Sequence, residues 1–279
     1  MYDSHEIYLE SGANADQPAW LRGLMARLER RWVARSAALV TVNESLAAEL
    51  RRRYAPVRTV VVHNCPPRSY SPTPGVPDLL RAATGIPVDE PIALYHGAFS
   101  RHRGLEELAA AVAEPGLERV HAVFLGYGGL RSELDALALG PAAPGRIHVL
   151  AAVPPEELGA WVASADVGVM AIQPSTINHR MSTPNKLFEC LGAGVPVVAS
   201  DFHEMRQIVC DDPEGPLGVV VAPDDIPGLG RAILSIVAAP PAERAELRVR
   251  CLRAAHGRWN WETESARLVD LYAGLFGQA

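Results

Sequence analysis

The sequence predicts an α/β fold with a doubly wound parallel sheet, preceded by part of a second α/β domain. Between about residues 91 and 222, short apolar runs bounded by turn residues alternate with segments of helical period. This alternation is typical of βαβ units around a parallel sheet. The 279 residues are 48% apolar and 21% charged, a composition that suits about two globular domains. Disordered and collagen-like chains are therefore excluded.

Apolar runs predict the strands of the larger domain. They lie at 92–95, 120–125, 147–150, 167–172, 195–199 and 219–222. Helices are predicted between and after them, near 104–113, 129–138, 155–164, 184–193, 203–210, 225–238 and 241–255. A last helix is amphipathic, with apolar side chains spaced i, i+3, i+4, i+7 and i+8. These side chains are Leu268, Leu271, Tyr272, Leu275 and Phe276.

The first 64 residues predict only two strands, at 38–42 and 57–62, with helices at 19–36 and 45–54. A parallel sheet is covered on both faces and usually has more strands than this. A proline-rich connection follows at 66–75. The front part is therefore expected to be the last part of a domain whose beginning is absent.

Composition and charge also exclude several classes of function. The net charge of −6 argues against a nucleic-acid binder that uses a broad basic surface. No apolar run reaches the roughly 18–20 residues that cross a bilayer, and the N-terminus lacks a signal peptide pattern. The cysteines are too far apart for a zinc or redox motif, and the histidines form no HExxH pattern, so no metal is expected.

The basic residues contain one unusual feature, because 25 of the 26 are arginine and only Lys186 is lysine. Thr183 suits an N-cap and Pro184 the first helical position, which predicts a helix with Lys186 in its first turn. The helix dipole disfavours a cation there by about 0.3–1 kcal/mol, and a bound anion would reverse that sign. The alternative is an exposed Lys186–Glu189 ion pair at i, i+3.

A second group of cations follows the first strand of the larger sheet, in the loop 96–104. Arg101 and Arg103 stand there just before the next predicted helix. Such loops lie at the carboxyl edge of the sheet, where doubly wound folds bind ligands. Arg103 can make a bidentate contact to phosphate, and Gly97 and Gly104 would let the backbone come close. The alternative is that the arginines lie on a solvated loop.

Two further features bear on a nucleotide. The loop 126–131, Gly-Tyr-Gly-Gly-Leu-Arg, fails the dinucleotide fingerprint because its sixth residue is arginine and it follows the second strand. A simple turn is the alternative to a nucleotide contact there. Glu189 lies less than two helical turns from Lys186, and a carboxylate can accept hydrogen bonds from both hydroxyls of a ribose. Together these two residues fit a nucleoside diphosphate.

In their order along the chain, these motifs resemble the C-terminal half of family 4 glycosyltransferases of the GT-B architecture, retaining enzymes that move a sugar from a nucleotide donor to an acceptor. The matching segments are 38–45, 61–64, 97–104, 126–128, 184–189, 192–198 and 218–220. The resemblance implies a GT-B-like, Rossmann-type doubly wound sheet preceded by a truncated α/β domain. It divides the chain into a remnant of the acceptor-side domain (1–75), a nucleotide-sugar-binding domain (76–258) and an amphipathic helix that packs back toward the N-terminal part (259–279).

The resemblance also implies roles for individual residues. Arg103 and Lys186 would be the catalytic residues, which bind the donor pyrophosphate and neutralise the departing nucleoside diphosphate. Glu189 would bind the ribose, and backbone near Val153 would approach the base. The remaining donor-binding residues that it implies are Gly97, Gly126, Gly128, Pro184 and Asn185.

The sequence departs from the family pattern in two places. Many members carry Glu eight positions before the ribose-binding Glu, where this chain has Met181, so a carboxylate contact to the donor sugar is missing. Most of the acceptor domain is also absent from the sequence, and residues 3–6 resemble a segment late in that domain. His5 and Glu6 are therefore expected either near the cleft or only as packing.

The resemblance implies a hexosyltransferase that uses a UDP-, GDP- or ADP-linked sugar and an unknown sugar or lipid-linked acceptor, without cofactor, metal or nucleic acid. We expect this chain to be inactive alone because its acceptor domain is incomplete, and to self-associate or need a partner chain that carries the missing half. We expect a cytoplasmic protein, with the inner membrane face as an alternative site of action. The alternative functions are a non-catalytic sugar-nucleotide-binding subunit of a two-chain transferase and, less favoured, a nucleotide-sugar epimerase.

Overall fold

The computed structural model describes residues 1–72, 75 and 77–277, which form two parallel sheets joined by helices. The smaller sheet contains β1 (Tyr2–Ser4), β2 (Leu39–Thr41) and β3 (Thr59–Val61). The larger sheet contains β4 (Ile92–Ala98), β5 (His121–Tyr127), β6 (Ile147–Ala151), β7 (Val167–Met170), β8 (Val197–Ser200) and β9 (Gly218–Val221).

Helices connect successive strands in both sheets. Before β4 they are α1 (Gly12–Ala15), α2 (Ala19–Arg35), α3 (Glu44–Tyr54) and α4 (Leu79–Thr84). Between β4 and β9 they are α5 (Leu105–Ala111), α6 (Arg131–Ala138), α7 (Pro155–Ala163), α8 (Ile177–Arg180), α9 (Asn185–Gly192) and α10 (His203–Cys210). The last three are α11 (Ile226–Val237), α12 (Pro241–Gly257) and α13 (Trp261–Phe276).

The larger sheet has the strand order β6-β5-β4-β7-β8-β9, with every pair parallel. Within this sheet, the chain first forms the central strand β4 and then β5 and β6 on one side of it. It then crosses to the other side of β4 and forms β7, β8 and β9. This order confirms the doubly wound α/β fold that the sequence predicts. Its topological switch point lies between β4 and β7, so the carboxyl ends of these strands are where a ligand crevice is expected.

Alternate residues of β4 show why its sequence is apolar without interruption. Ile92 and Leu94 belong to the core on one face of the sheet, while Ala93 and Tyr95 belong to the core on the other. All of them are at most 1% exposed. A strand covered on both faces needs apolar side chains at every position, which is what the sequence shows.

The smaller sheet corrects the prediction of two strands in the first 64 residues. β1 is a third strand, and it pairs in parallel with β2 so that Tyr2 lies opposite Leu39. Its three residues include only one large apolar side chain, too few for a strand pattern to emerge from the sequence. The short helices α4 and α8 also escape prediction because neither is long enough to show a helical period.

The last helix, α13, contacts the smaller sheet. Its Leu271 is fully buried against Ala38, Val40 and Val62, and Leu268 and Leu275 pack beside it. Tyr272 and Phe276 lie on the same helix but remain exposed. Of the proline-rich connection, residues 73, 74 and 76 lie outside the described residues, as do 278 and 279, and the three-part division of the chain remains a prediction.

Gly104 offers a test of how tightly the switch point is packed. It has a φ of +89°, and a Cβ there would stand 2.7 Å from the backbone of Ala171. Gly104→Ala is therefore expected to lower the free energy of unfolding by about 2–4 kcal/mol, because it adds both strain and a backbone clash. Gly129→Ala is the matched control, since a Cβ at Gly129 meets nothing within 4 Å. Urea denaturation of the two variants measures the difference, and equal midpoints would contradict the predicted close approach.

Candidate functional site

A cavity of about 440 Å³ opens at the carboxyl edge of the larger sheet, over the ends of β4 and β5 and the first turn of α9. It is lined by all of the predicted catalytic and donor-binding residues except Gly128. These predicted residues are Gly97, Arg103, Gly126, Val153, Pro184, Asn185, Lys186 and Glu189. The structure therefore brings together residues that are distant in the sequence.

Gly128 is not among the residues that line this cavity. A Cβ at Gly128 would stand 2.5 Å from the carbonyl oxygen of Phe99 and 2.8 Å from the backbone nitrogen of Phe99. The turn after β5 therefore packs directly on the loop after β4, which favours glycine at this position. Contact of Gly128 with the donor stays a prediction.

The helix α9 begins one residue later than the sequence predicts. Pro184 is its N-cap, with an extended backbone, and no side chain among the described residues caps the helix. The hydroxyl of Thr183 instead accepts a hydrogen bond of 3.1 Å from the side-chain amide of Asn43. The first backbone N–H groups of α9 are thus left without a side-chain partner at the edge of the cavity, a favourable place for an anion.

Lys186 reaches from this first turn over an aromatic ring. Its Nζ lies 3.5 Å from the centroid of the Tyr95 ring, a cation–π contact. Burial and the neighbouring Arg103 guanidinium lower the pKa of Lys186 to about 7, although the negative charge of Glu189 opposes this shift. The ammonium is therefore held in a place that disfavours its own charge.

Glu189 is paired with a histidine and forms no ion pair with Lys186. Its Oε2 lies 2.8 Å from Nε2 of His96, at the end of β4. Burial lowers the pKa of His96, because a charged imidazole would lose its hydration there. The alternative of an exposed Lys186–Glu189 pair is therefore wrong, since the salt bridges among the described residues do not include it.

The two arginines of the loop after β4 have different surroundings. Arg101 is 68% exposed and lies within 4 Å of Glu106 and Glu133. Arg103 lines the cavity, and no carboxylate in the described part of the chain lies within ion-pair distance of it. Arg101 does not line this cavity, although it borders a second cavity between the two sheets, whereas Arg103 lines both.

A second cavity, of about 460 Å³, lies between the two sheets. It is lined in part by His5 and Glu6, so the expectation that they lie near the cleft agrees with their position. Met181 does not line this second cavity. The two cavities share Ser100, Arg103, Pro184 and Asn185. A ligand bound in the first cavity can therefore extend past Arg103 into the second.

Histidines line the second cavity next to Arg103. His179 lies 2.6 Å from the hydroxyl of Ser175 through its Nδ1. Burial, together with the charges of Arg103 and His102, lowers the pKa of His179 to about 4, so its imidazole is neutral near pH 7. His102 has a φ of +65°, a strained conformation for a residue with a side chain. His179 and His102 therefore give the second cavity a polar lining next to Arg103.

Side-chain hydrogen bonds hold the two sheets together around the second cavity. The amide of Asn43 donates to the carbonyl of Met181 over 2.6 Å. Asn178 exchanges hydrogen bonds of 2.8 and 3.1 Å with the backbone of Ile7. Glu204 accepts a bond of 2.6 Å from the backbone nitrogen of Ser45. The loop that precedes α9 is thereby fixed to the smaller sheet.

Sequence reasoning missed His96, Tyr95 and the Ser175–His179 pair. A histidine or tyrosine inside an apolar strand carries no local signal of function, and these contacts form only on folding. Within the described ranges, no cluster of His, Cys, Asp or Glu side chains could hold a metal ion. No described helix combines the length and the apolar character that crossing a bilayer requires.

Comparison with known proteins gives the family. Residues 90–239 match the family model described as Glycosyl transferases group 1. D-inositol 3-phosphate glycosyltransferase of Xylanimonas cellulosilytica is 32% identical over 257 residues, which cover 88% of this chain and 58% of that protein. Phosphatidyl-myo-inositol mannosyltransferase of Propionibacterium freudenreichii is 28% identical over 253 residues, with the same shares covered. The chain thus spans 58% of the length of these relatives.

Solved structures show the same fold. Sucrose-phosphate synthase from Thermosynechococcus elongatus aligns with a TM-score of 0.78 at 23% identity, over 99% of this chain and 68% of that one. Anabaena HepE in complex with UDP aligns with a TM-score of 0.74 at 16% identity, over 98% and 71%. The GT-B-like fold is confirmed by this likeness. The segment that matches the family model contains all six strands of the larger sheet and covers more than half of the chain. The chain therefore belongs to the Glycosyl transferases group 1 family.

Proposed function

We propose that the cavity at the carboxyl edge of the larger sheet binds a nucleotide-sugar donor, and that the sugar is transferred to an acceptor in the cleft between the sheets. One observation carries the proposal: Arg103, Lys186 and the first turn of α9 line the same cavity as the apolar side chains of Leu125, Val153 and Leu158. A nucleoside diphosphate likewise combines a charged end with a flat organic end.

The diphosphate is proposed to lie against the positive groups of the cavity, Arg103, Lys186 and the first turn of α9. Arg103 can bind a phosphate through two parallel hydrogen bonds, while Lys186 offers a compact charge. The amides of the first turn of α9 add dipolar attraction. A bound diphosphate would also favour the charged form of Lys186, whose pKa is lowered by burial and by the charge of Arg103.

The base is proposed to lie against the apolar part of the lining. Leu125, Val153 and Leu158 line the cavity and offer apolar contacts to a base. Glu189 also lines it, with one oxygen bonded to His96 and the other available to a ribose hydroxyl. The UDP held by Anabaena HepE supports a nucleotide donor without naming the base that this chain prefers.

The transferred sugar is proposed to extend past Arg103 into the cavity between the sheets. His179 and His102 line that cavity and provide polar groups that the sugar hydroxyls could contact. The acceptor would approach from the side of His5 and Glu6. Curated relatives are named for inositol phosphate and phosphatidylinositol acceptors, which makes a polyol phosphate the first acceptor class to test.

The chemical contribution of the cations is proposed to be neutralisation of the leaving group. Negative charge grows on the diphosphate as the glycosidic bond breaks, and fixed donors aimed at that charge lower the barrier. Loss of one such donor typically costs about 2.7–4 kcal/mol of activation free energy. We propose retention of configuration from the family resemblance, with attack on the face that the leaving group vacates, and we expect no metal to be required.

Donor binding and transfer are separable proposals. Donor binding needs only residues of the larger sheet and its loops, whereas transfer also needs an acceptor site between the sheets. A non-catalytic sugar-nucleotide-binding subunit would bind the donor and give no product with any acceptor. Isothermal titration and a transfer assay on the same preparation therefore distinguish the two functions.

Lys186→Met and Arg103→Met are expected to weaken nucleoside diphosphate binding by about 10- to 150-fold each, because each removes a hydrogen bond to a charged group. Isothermal titration with UDP, GDP and ADP measures the dissociation constants. Arg101→Met is the control, since Arg101 lies on the same loop with its side chain 68% exposed. Unchanged affinity of Lys186→Met for every nucleotide would refute the proposed diphosphate site.

The affinity for a nucleoside diphosphate is expected to fall as pH rises from 7 to 8.5. The pKa of Lys186 is about 7 in the free chain, so the charged form that attracts phosphate is lost above that pH. The loss approaches about tenfold per pH unit at most. Lys186→Arg keeps its charge and should show a flat profile over the same range. A flat profile for the parent chain would contradict the proposed role of Lys186.

A further inference from the structure

We propose that His96 is a positioning residue that fixes the carboxylate of Glu189 and so gives the site its preference for ribose over deoxyribose. The inference rests on the proposed function of this cavity and goes beyond it, because it concerns a residue that would not itself contact the charged groups of the nucleotide. It identifies how one carboxylate oxygen is reserved for the ligand.

The geometry separates the two oxygens of Glu189. His96 is 3% exposed at the carboxyl end of β4, and its Nε2 lies 2.8 Å from Oε2 of Glu189. The Glu189 side chain is 23% exposed and lines the cavity. Among the hydrogen bonds of the described residues, none engages Oε1. One oxygen is therefore held by the sheet, and the other is available to the cavity.

The chemistry fixes which atom donates. Burial and the adjacent Lys186 ammonium disfavour a charged imidazole, so the ring is neutral and carries a single N–H. A carboxylate only accepts hydrogen bonds, so the ring places that hydrogen on Nε2. The contact is an N–H donor to an anionic oxygen, which is stronger and more directional than a neutral pair.

This contact spans 93 residues of sequence and joins the central strand β4 to α9. Without it, the glutamate side chain is free to rotate or to turn toward Lys186 on the same helix. With it, the carboxylate plane is set before a ligand arrives, and a ribose need not bear the cost of ordering it. A 2′-deoxyribose offers one hydroxyl fewer to the prepared oxygen.

A purely structural role makes a different prediction. If the contact with Glu189 only provides a hydrogen-bond partner for a buried histidine, then loss of His96 lowers the stability of the fold. Loss of His96 then also weakens the binding of ribo- and deoxyribonucleotides by the same factor. If His96 positions Glu189, then its loss reduces the ratio of the two affinities while binding of the deoxyribonucleotide changes little.

The test uses the nucleoside diphosphate among UDP, GDP and ADP that the parent binds most tightly, together with its 2′-deoxy counterpart. Isothermal titration gives both Kd values for the parent, His96→Leu, His96→Gln, Glu189→Gln and the double variant His96→Leu/Glu189→Gln. We expect the parent to prefer ribose by about tenfold, the scale of one hydrogen bond to a charged group. His96→Leu and Glu189→Gln should each bring the ratio to within about twofold of unity, and the double variant should lose nothing more.

His96→Gln is the conservative variant, because its side-chain amide can donate to the same oxygen. It should restore at least half of the ribose preference on a logarithmic scale. If the parent prefers ribose and His96→Leu keeps the same ratio of affinities, this inference alone is refuted. Equal weakening of both nucleotides is one form of that result. If the parent binds no nucleoside diphosphate, both the proposed function and this inference fail.

A measurement on the unaltered chain keeps the inference testable if His96→Leu does not fold. Long-range ¹H–¹⁵N spectra of the imidazoles report which ring nitrogen carries the hydrogen. The contact with Glu189 requires a hydrogen on Nε2, and burial, which lowers the pKa of His96, favours the neutral ring. We therefore expect the Nε2–H tautomer at pH 7. The opposite tautomer would remove the donor that positions Glu189 and would overturn the inference.

Discussion

The placement of two cations, Arg103 and Lys186, beside one cavity is the constraint around which the carboxyl edge of the larger sheet is arranged. The ion pairs formed within the described ranges include neither of them. Burial of Lys186, together with the charge of Arg103, lowers the pKa of Lys186 to about 7. The Tyr95 ring lies against the ammonium and stabilises its charge, while the N-terminus of α9 adds further positive potential. We propose that a bound diphosphate supplies the negative charge that these groups attract.

The smaller sheet matters to this site through a few directed hydrogen bonds. Asn43 is fully buried after β2, where its Oδ1 caps α3 by accepting from Leu46. Its amide nitrogen bonds the carbonyl of Met181 and the hydroxyl of Thr183, directly before α9. One side chain thus fixes both the first turn of α3 and the segment that leads into α9. The position of Lys186 consequently depends on both sheets.

Much of the fold could be predicted because its cause is local. Both faces of the larger sheet are covered, so its strands need apolar side chains at successive positions, as in the first four residues of β4. Such a run is visible in the sequence itself. The short strand β1 carries too little pattern to be recognised, because its pairing with β2 is a tertiary event. The cluster of Arg103, Lys186 and Glu189 was predictable from topology and from the resemblance. The bond between His96 and Glu189 was not, since nothing in either segment indicates a partner 93 residues away.

The central claim is that Lys186 and Arg103 are held together to bind a diphosphate. A crystal structure of the chain with a bound nucleoside diphosphate tests it most directly. We predict phosphate oxygens at about 2.7–3.2 Å from both Nζ of Lys186 and the guanidinium of Arg103, with the ribose beside Glu189. A nucleotide bound with its phosphates away from Lys186, or bound outside the cavity at the carboxyl edge of the larger sheet, would contradict the claim.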